Sequence, residues 1–175
     1  MALTTCDSQP ASAGEAEPEF KVQIFYEDLP CAVRAMRLLT RVCCDAGHRL
    51  AIEPGLWNFQ MLRSEVIWRA ALDAACHSEM VVVAAHGRDE FPSTLKAWLE
   101  SWRRLRDGAE VALVELLDGV SDAEMRSSAT HAELEVAARQ HGAEFFACAL
   151  GPPLALPASR SALPEHGVAH WGINE

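Results

Sequence analysis

At 175 residues, half of them apolar, the chain has the length and core material of one globular domain and is too apolar to be a disordered protein. A net charge of −10 and a sequence pI near 5.1 argue against nucleic acid or an anionic membrane surface as partner, since both require a basic face. No apolar run nears the ~20 residues of a membrane span. The first residues lack the basic flank and apolar segment of a signal peptide, so a cytoplasmic protein is expected.

Residues 1–20 are mostly Ala, Ser, Glu and Pro. They offer too little apolar surface to offset chain entropy and read as a disordered acidic arm. Lys21 to Tyr26 reads as a strand. Asp28 can cap the helix that follows, and Pro30 fits its first turn. That helix runs to about Ala46, with Val33, Met36, Leu38, Leu39, Val42 and Cys43 inward and Arg34, Arg37 and Arg41 outward. Gly47 stops it. His48 to Ile52 reads as a short second strand, Pro54-Gly55 as a turn, and Trp57 and Phe59 as loop residues. A helix is expected from about Arg63 to Cys76, with Val66, Ile67, Ala70, Ala71 and Ala74 on one stripe.

Met80 to Ala85 is apolar on both faces and rich in β-branched residues, the pattern of a buried central strand in a parallel sheet. Pro92 opens a third helix, with Leu95, Trp98, Leu99, Trp102 and Leu105 at helical spacing. The Trp98–Trp102 pair reads as core. Glu110 to Leu117 is a fourth strand, followed by a polar loop. A helix over about Thr130 to His141 and a strand over Glu144 to Ala149 complete the body. Residues 151–175 form a proline-rich extension ending in the apolar residues Trp171 and Ile173.

Strand and helix alternate throughout. Right-handed crossovers then produce a three-layer, flavodoxin-like five-stranded parallel sheet of order 2-1-3-4-5 with helices on both faces, over residues 21–150. Ligands of such sheets bind beyond the carboxyl ends of the strands. Glu27 and Asp28 follow strand one; His86, Gly87, Arg88 and Asp89 follow strand three; Asp118 follows strand four. These seven are the candidate binding residues. None is assigned as catalytic, although His86 has the right chemistry for a general base near neutral pH.

No H-E-x-x-H occurs, and the tail pair His166 and His170 is flanked by Gly167 and Pro164, so no metal site is assigned. The six cysteines, Cys6, Cys31, Cys43, Cys44, Cys76 and Cys148, form no C-x-x-C pair and read as free thiols in a reducing compartment. No G-x-G-x-x-G and no G-K-[ST] occurs, and Glu27-Asp28-Leu29-Pro30 is acidic where a flavin phosphate loop would need Ser, Thr or Gly. No cofactor is expected.

The order of elements and the acidic pair after strand one resemble the response-regulator receiver family. Receivers carry a phosphoacceptor aspartate at the end of strand three, where this chain has Ala85 or His86. They carry Ser or Thr at the end of strand four, where Leu117 or Asp118 stands, and a lysine after strand five, which has no counterpart after Phe146. The resemblance therefore implies a receiver-like module without phosphotransfer.

The motifs Trp57-Asn58-Phe59, Val82-Val83-Ala84-Ala85-His86-Gly87 and Pro92-Ser93-Thr94-Leu95-Lys96-Ala97-Trp98 are similar to those of a group of bacterial α/β proteins, which implies a fold and no activity. The abundance of Ala and of Arg over Lys (13 against 2) fits a GC-rich bacterial genome. The Toll/interleukin-receptor type domain is also similar in strand count, and some members hydrolyse NAD with a helix glutamate; Glu100 falls near that position.

Two functions follow as expectations. The first is a non-catalytic receiver-like interaction or signalling module that binds a protein partner or itself. The alternative is a small-molecule or nucleotide-binding enzyme at the sheet's carboxyl edge, in its narrowest form an NAD hydrolase.

Overall fold

The computed structural model describes residues 20–45, 52–87, 90–105 and 110–151. The two terminal arms, the Arg88-Asp89 pair and the expected strand from His48 lie outside them, apart from Ile52. The order of elements is β1 (Phe20–Tyr26), α1 (Leu29–Asp45), β2 (Ile52–Asn58), a 3-10 turn (Phe59–Arg63), α2 (Glu65–Cys76), β3 (Met80–His86), α3 (Ser93–Leu105), β4 (Ala112–Asp118), α4 (Asp122–Arg126), α5 (Ala129–His141) and β5 (Glu144–Leu150). The five strands form one all-parallel sheet of order β2-β1-β3-β4-β5, as the alternation of elements requires.

β3 lies at the centre, with Val81, Val82, Val83, Ala84 and Ala85 all buried. Its two faces join two cores. On one face Val81, Val83 and Ala85 meet Phe25, Leu113 and Leu117 under α2, α3 and α5. On the other, Val82 and Ala84 meet Val22, Ile24 and Leu116, and the helical side chains come from α1. Trp98 and Trp102 are fully buried and stacked, ring centroids 5.9 Å apart, with Trp98 against Phe25.

The main departure from expectation is β2. The segment containing Pro54-Gly55 is the strand itself, not a turn. An edge strand tolerates proline because a backbone N–H on the open side needs no ladder partner. Gly55 pairs with Gln23, and a Cβ there would lie 2.0 Å from Gln23 Oε1. That oxygen accepts a hydrogen bond from Trp57 Nε1 at 2.8 Å, so the glycine makes room for a cross-strand clasp.

The helix faces also turn relative to expectation. α1 buries Cys31, Ala32 and Ala35, with Met36, Leu38 and Leu39 packed against the core as expected, while Val33 and Val42 are exposed. α2 buries Ala71, Leu72 and Ala75, leaving Val66 exposed. Small residues let each helix axis come close to the sheet, and that proximity outweighs the larger side chains one position away. The expected polar loop contains α4, started by a capping box between Ser121 and Glu124.

Val82 pairs with Ile24 and Val114 in register and is almost fully buried. Val82→Asp places an unpaired charge there and is expected to cost about 3–5 kcal/mol. Chemical denaturation checks this; a midpoint equal to wild type would refute the placement of β3.

Candidate functional site at the carboxyl edge of the sheet

The ends of β1, β3 and β4 are tied together by side chains. The Glu27 backbone N–H continues the ladder to the Ala84 carbonyl at 3.0 Å, which carries β1 past its last residue. Glu27 Oε2 then accepts from the backbone N–H of His86 at 2.8 Å. Asn58, at the end of β2, donates to the Glu27 carbonyl at 3.0 Å. Gly87 N–H donates to the Asp118 carbonyl at 3.2 Å. A Cβ on Gly87 would sit 2.4 Å from Val120, so glycine is what allows the chain to leave β3 beneath the β4 loop.

Asp28 caps α1 as the sequence predicts, its Oδ1 accepting from Cys31 N–H at 3.0 Å. Its Oδ2 lies 2.9 Å from His86 Nε2. Burial by itself would raise the Asp28 carboxyl, but the His86 ring and the Cys31 N–H outweigh it and hold the pKa at about 2. His86 Nδ1 faces Asp118 Oδ2 at 3.8 Å, and Asp118 is closed off by an ion pair with Arg34. Cys31 Sγ lies 3.7 Å from His86 Nε2. Burial, followed by the Asp28 carboxylate, pushes the Cys31 thiol up to about 12.

Of the seven candidate residues, the structure brings together Glu27, Asp28, His86, Gly87 and Asp118. Arg88 and Asp89 lie outside the described residues. Sequence reasoning missed two members. In the sequence Cys31 reads only as a free thiol, and Arg34 as an outward-facing residue of α1. The signal was present in the spacing: Asp28, Cys31 and Arg34 follow one another at intervals of three, the repeat that aligns side chains along one side of a helix's first turns. Arg34 turns to the strand ends because Asp118 is 8% exposed there and needs a counter-charge.

Asp28, Cys31 and His86 bring one ligand atom each within 4.8 Å of one another, the one such group among the described residues. Carboxylate, thiolate and imidazole suit a borderline cation such as Zn²⁺ better than Mg²⁺. In the arrangement observed, those atoms instead contact each other, and the thiol is held in its protonated form.

Glu100 does not join this network. It sits on α3, paired with Arg103 and, at 3.2 Å, with Arg104; its bond to the Arg103 guanidinium holds its carboxyl below the ordinary range.

A second titratable pair lies inside the fold. Glu115 projects from β4 between Leu113 and Leu117 and is fully buried. Its Oε2 lies 2.5 Å from His131 Nδ1 on α5, while Oε1 has no hydrogen-bond partner among the described residues. Burial raises its pKa, and the His131 bond offsets this only in part. Nothing in the sequence marked Glu115, which reads as the polar member of a strand.

No family model matches the chain, and no curated protein matches it. Among solved structures, the apo form of the NADH:FMN oxidoreductase EMOB superposes with a TM-score of 0.53 at 17% identity, covering 76% of this chain and 75% of that one. At that identity the likeness shows a shared flavodoxin-like fold. No helix among the described residues is long and apolar enough to cross a membrane.

Two outcomes are expected. At pH 8.5 a small alkylating reagent should modify exposed Cys44 readily and leave Cys31 at least about tenfold slower, because only the thiolate reacts. Peptide mass mapping over time reads both, and equal rates would contradict the buried, protonated Cys31. For Glu115, the raised folded-state pKa means that the native state holds a proton more tightly than the unfolded chain. Its contribution to stability is therefore full below the ordinary value of 4.5 and is lost as pH rises through the raised value. Glu115→Gln should remove that decline, seen as a flatter profile of unfolding free energy against pH; an unchanged slope would show that Glu115 is not its source.

Proposed function

We propose that this domain acts through protein contacts, as a receiver-like interaction or signalling module, and not by catalysis. The observation that carries this reading is the closure of the strand-end network. His86 stands where a receiver has its phosphoacceptor, with Nε2 against Asp28 and Nδ1 facing Asp118, while Arg34 is taken by Asp118. An active site needs groups aimed at a substrate, and here they are aimed at one another. The Cys31 thiol is a poor nucleophile for the reason given above.

The partner surface is the outer side of α1 with the β2 edge. Leu29 is 69% exposed, Leu56 48% and Val33 39%, and they line one groove with Met36, Arg37 and Arg41. Adjacent exposed apolar groups are costly in water and mark contact sites. The basic rim fits a partner segment that is apolar on one side and acidic at its border. A cytoplasmic location belongs to the same reading, supported by five free cysteines among the described residues.

The test has two arms. Incubation of the full chain with acetyl phosphate and Mg²⁺, and separately with NAD, is expected to give no mass gain and no loss of NAD. A covalent phosphate on Asp28 or Asp118, or NAD cleavage abolished by Glu100→Gln, overturns the reading. In cells, a photo-crosslinking residue at Val33 is expected to capture one protein, identified by mass spectrometry. That adduct should vanish with Leu56→Glu at unchanged melting temperature, and persistence of the adduct would remove the groove from the argument.

A further inference from the structure

Among the described residues, the two faces of the sheet are unequally covered. Right-handed crossovers place a helix on one face when the chain moves one way along the sheet and on the other face when it moves back. Here the step from β1 to β2 runs one way, and the steps from β2 to β3, β3 to β4 and β4 to β5 run the other. Accordingly α2, α3 and α5 contribute to one core, and α1 is the helix that contributes to the second. A helix with its side chains is ~10 Å wide, whereas five strands about 4.8 Å apart span ~19 Å. One helix therefore covers about half of that face. α1 packs on β1 and β3.

The remaining half, over β4 and β5, is apolar. Val114, Cys148 and Leu150 are only partly buried, and Phe146 is 48% exposed. These side chains alternate correctly for one face of the sheet, with Val114 paired to Phe146 and Leu116 to Cys148. An aromatic ring left half in water on a sheet face is an unfilled position in a layered fold.

We propose that residues 152–175 of this same chain cover the β4–β5 half of the face, packing apolar side chains such as Trp171 and Ile173 on Phe146, Cys148 and Leu150. Four considerations favour this occupant over a second copy. The segment begins at Pro152, two residues after Leu150, which is itself part of the apolar patch. Its length is ample: at ~3.3 Å per residue an extended chain of this size reaches several times the length of a seven-residue strand. Tethering also gives the segment an effective concentration on the order of mM without any second chain. A net charge of −10 opposes the approach of an identical copy. Pro152, Pro153, Pro157 and Pro164 disfavour a helix in the first part of the segment, so the cover we propose is an extended arm.

The test uses the full-length protein with p-benzoylphenylalanine at position 146. Irradiation is expected to give links within one chain to residues 152–175, at a yield independent of protein concentration. Links to a second copy, or none to the segment, overturn the proposal. Cys148 supplies a separate readout. Removing residues 152–175 should speed its alkylation at least about tenfold, the ratio that ~1.4 kcal/mol of cover corresponds to, while exposed Cys44 stays unchanged. If the shortened chain does not fold, Trp171→Ser with Ile173→Ser in the full chain should speed Cys148 in the same direction. An unchanged Cys148 rate in a folded variant overturns the proposal.

Discussion

The burial of β3 on both faces is the constraint from which the rest of this structure follows. β3 is apolar from Val81 to Ala85, so its first polar group, His86, appears where the strand ends. The Glu27, His86 and Asp118 cluster is therefore a geometric consequence of the run from Val81 to Ala85. In a parallel sheet, strand ends fall at one edge together. Polar residues far apart in sequence, such as Asp28 and Asp118, are brought to one ring nitrogen system by that fact.

The same constraint explains why the edge network is so fully paired. A carboxylate at a strand end is partly desolvated by the loops around it, and that cost has to be offset locally. Asp118 meets it with Arg34, Asp28 with the Cys31 N–H of α1 and the His86 ring, and Glu27 with the His86 N–H of β3. Apart from the Asp28 cap on α1, these bonds join residues of different elements, so the edge also pins α1 to the sheet and ties the end of β1 to β3.

Much of the fold was legible in the residues because two periodicities carry it. The apolar run from Met80 and the helical spacing of Leu95, Trp98, Leu99 and Trp102 each admit one reading, and both hold. The β2 segment was illegible for a physical reason. Pro54-Gly55 signals a turn locally, and only the neighbouring strand reveals that Gly55 is small because the Gln23 side chain occupies its Cβ position. The orientation of α1 was misread on similar grounds. Local pattern favours burying Val33 and Val42, yet close approach to the sheet favours Ala32 and Ala35.

What the sequence determined alone was the number and order of strands, the central position of β3 and the edge at which polar groups gather. These depend on apolar periodicity and on the handedness of crossovers, both properties of the chain itself. Tertiary structure decided which residues meet at that edge, that Arg34 turns inward and Cys31 joins His86, and that Glu115 is buried against His131. Those outcomes depend on distances between elements separated by many residues, and on a balance between desolvation and pairing that no local pattern encodes.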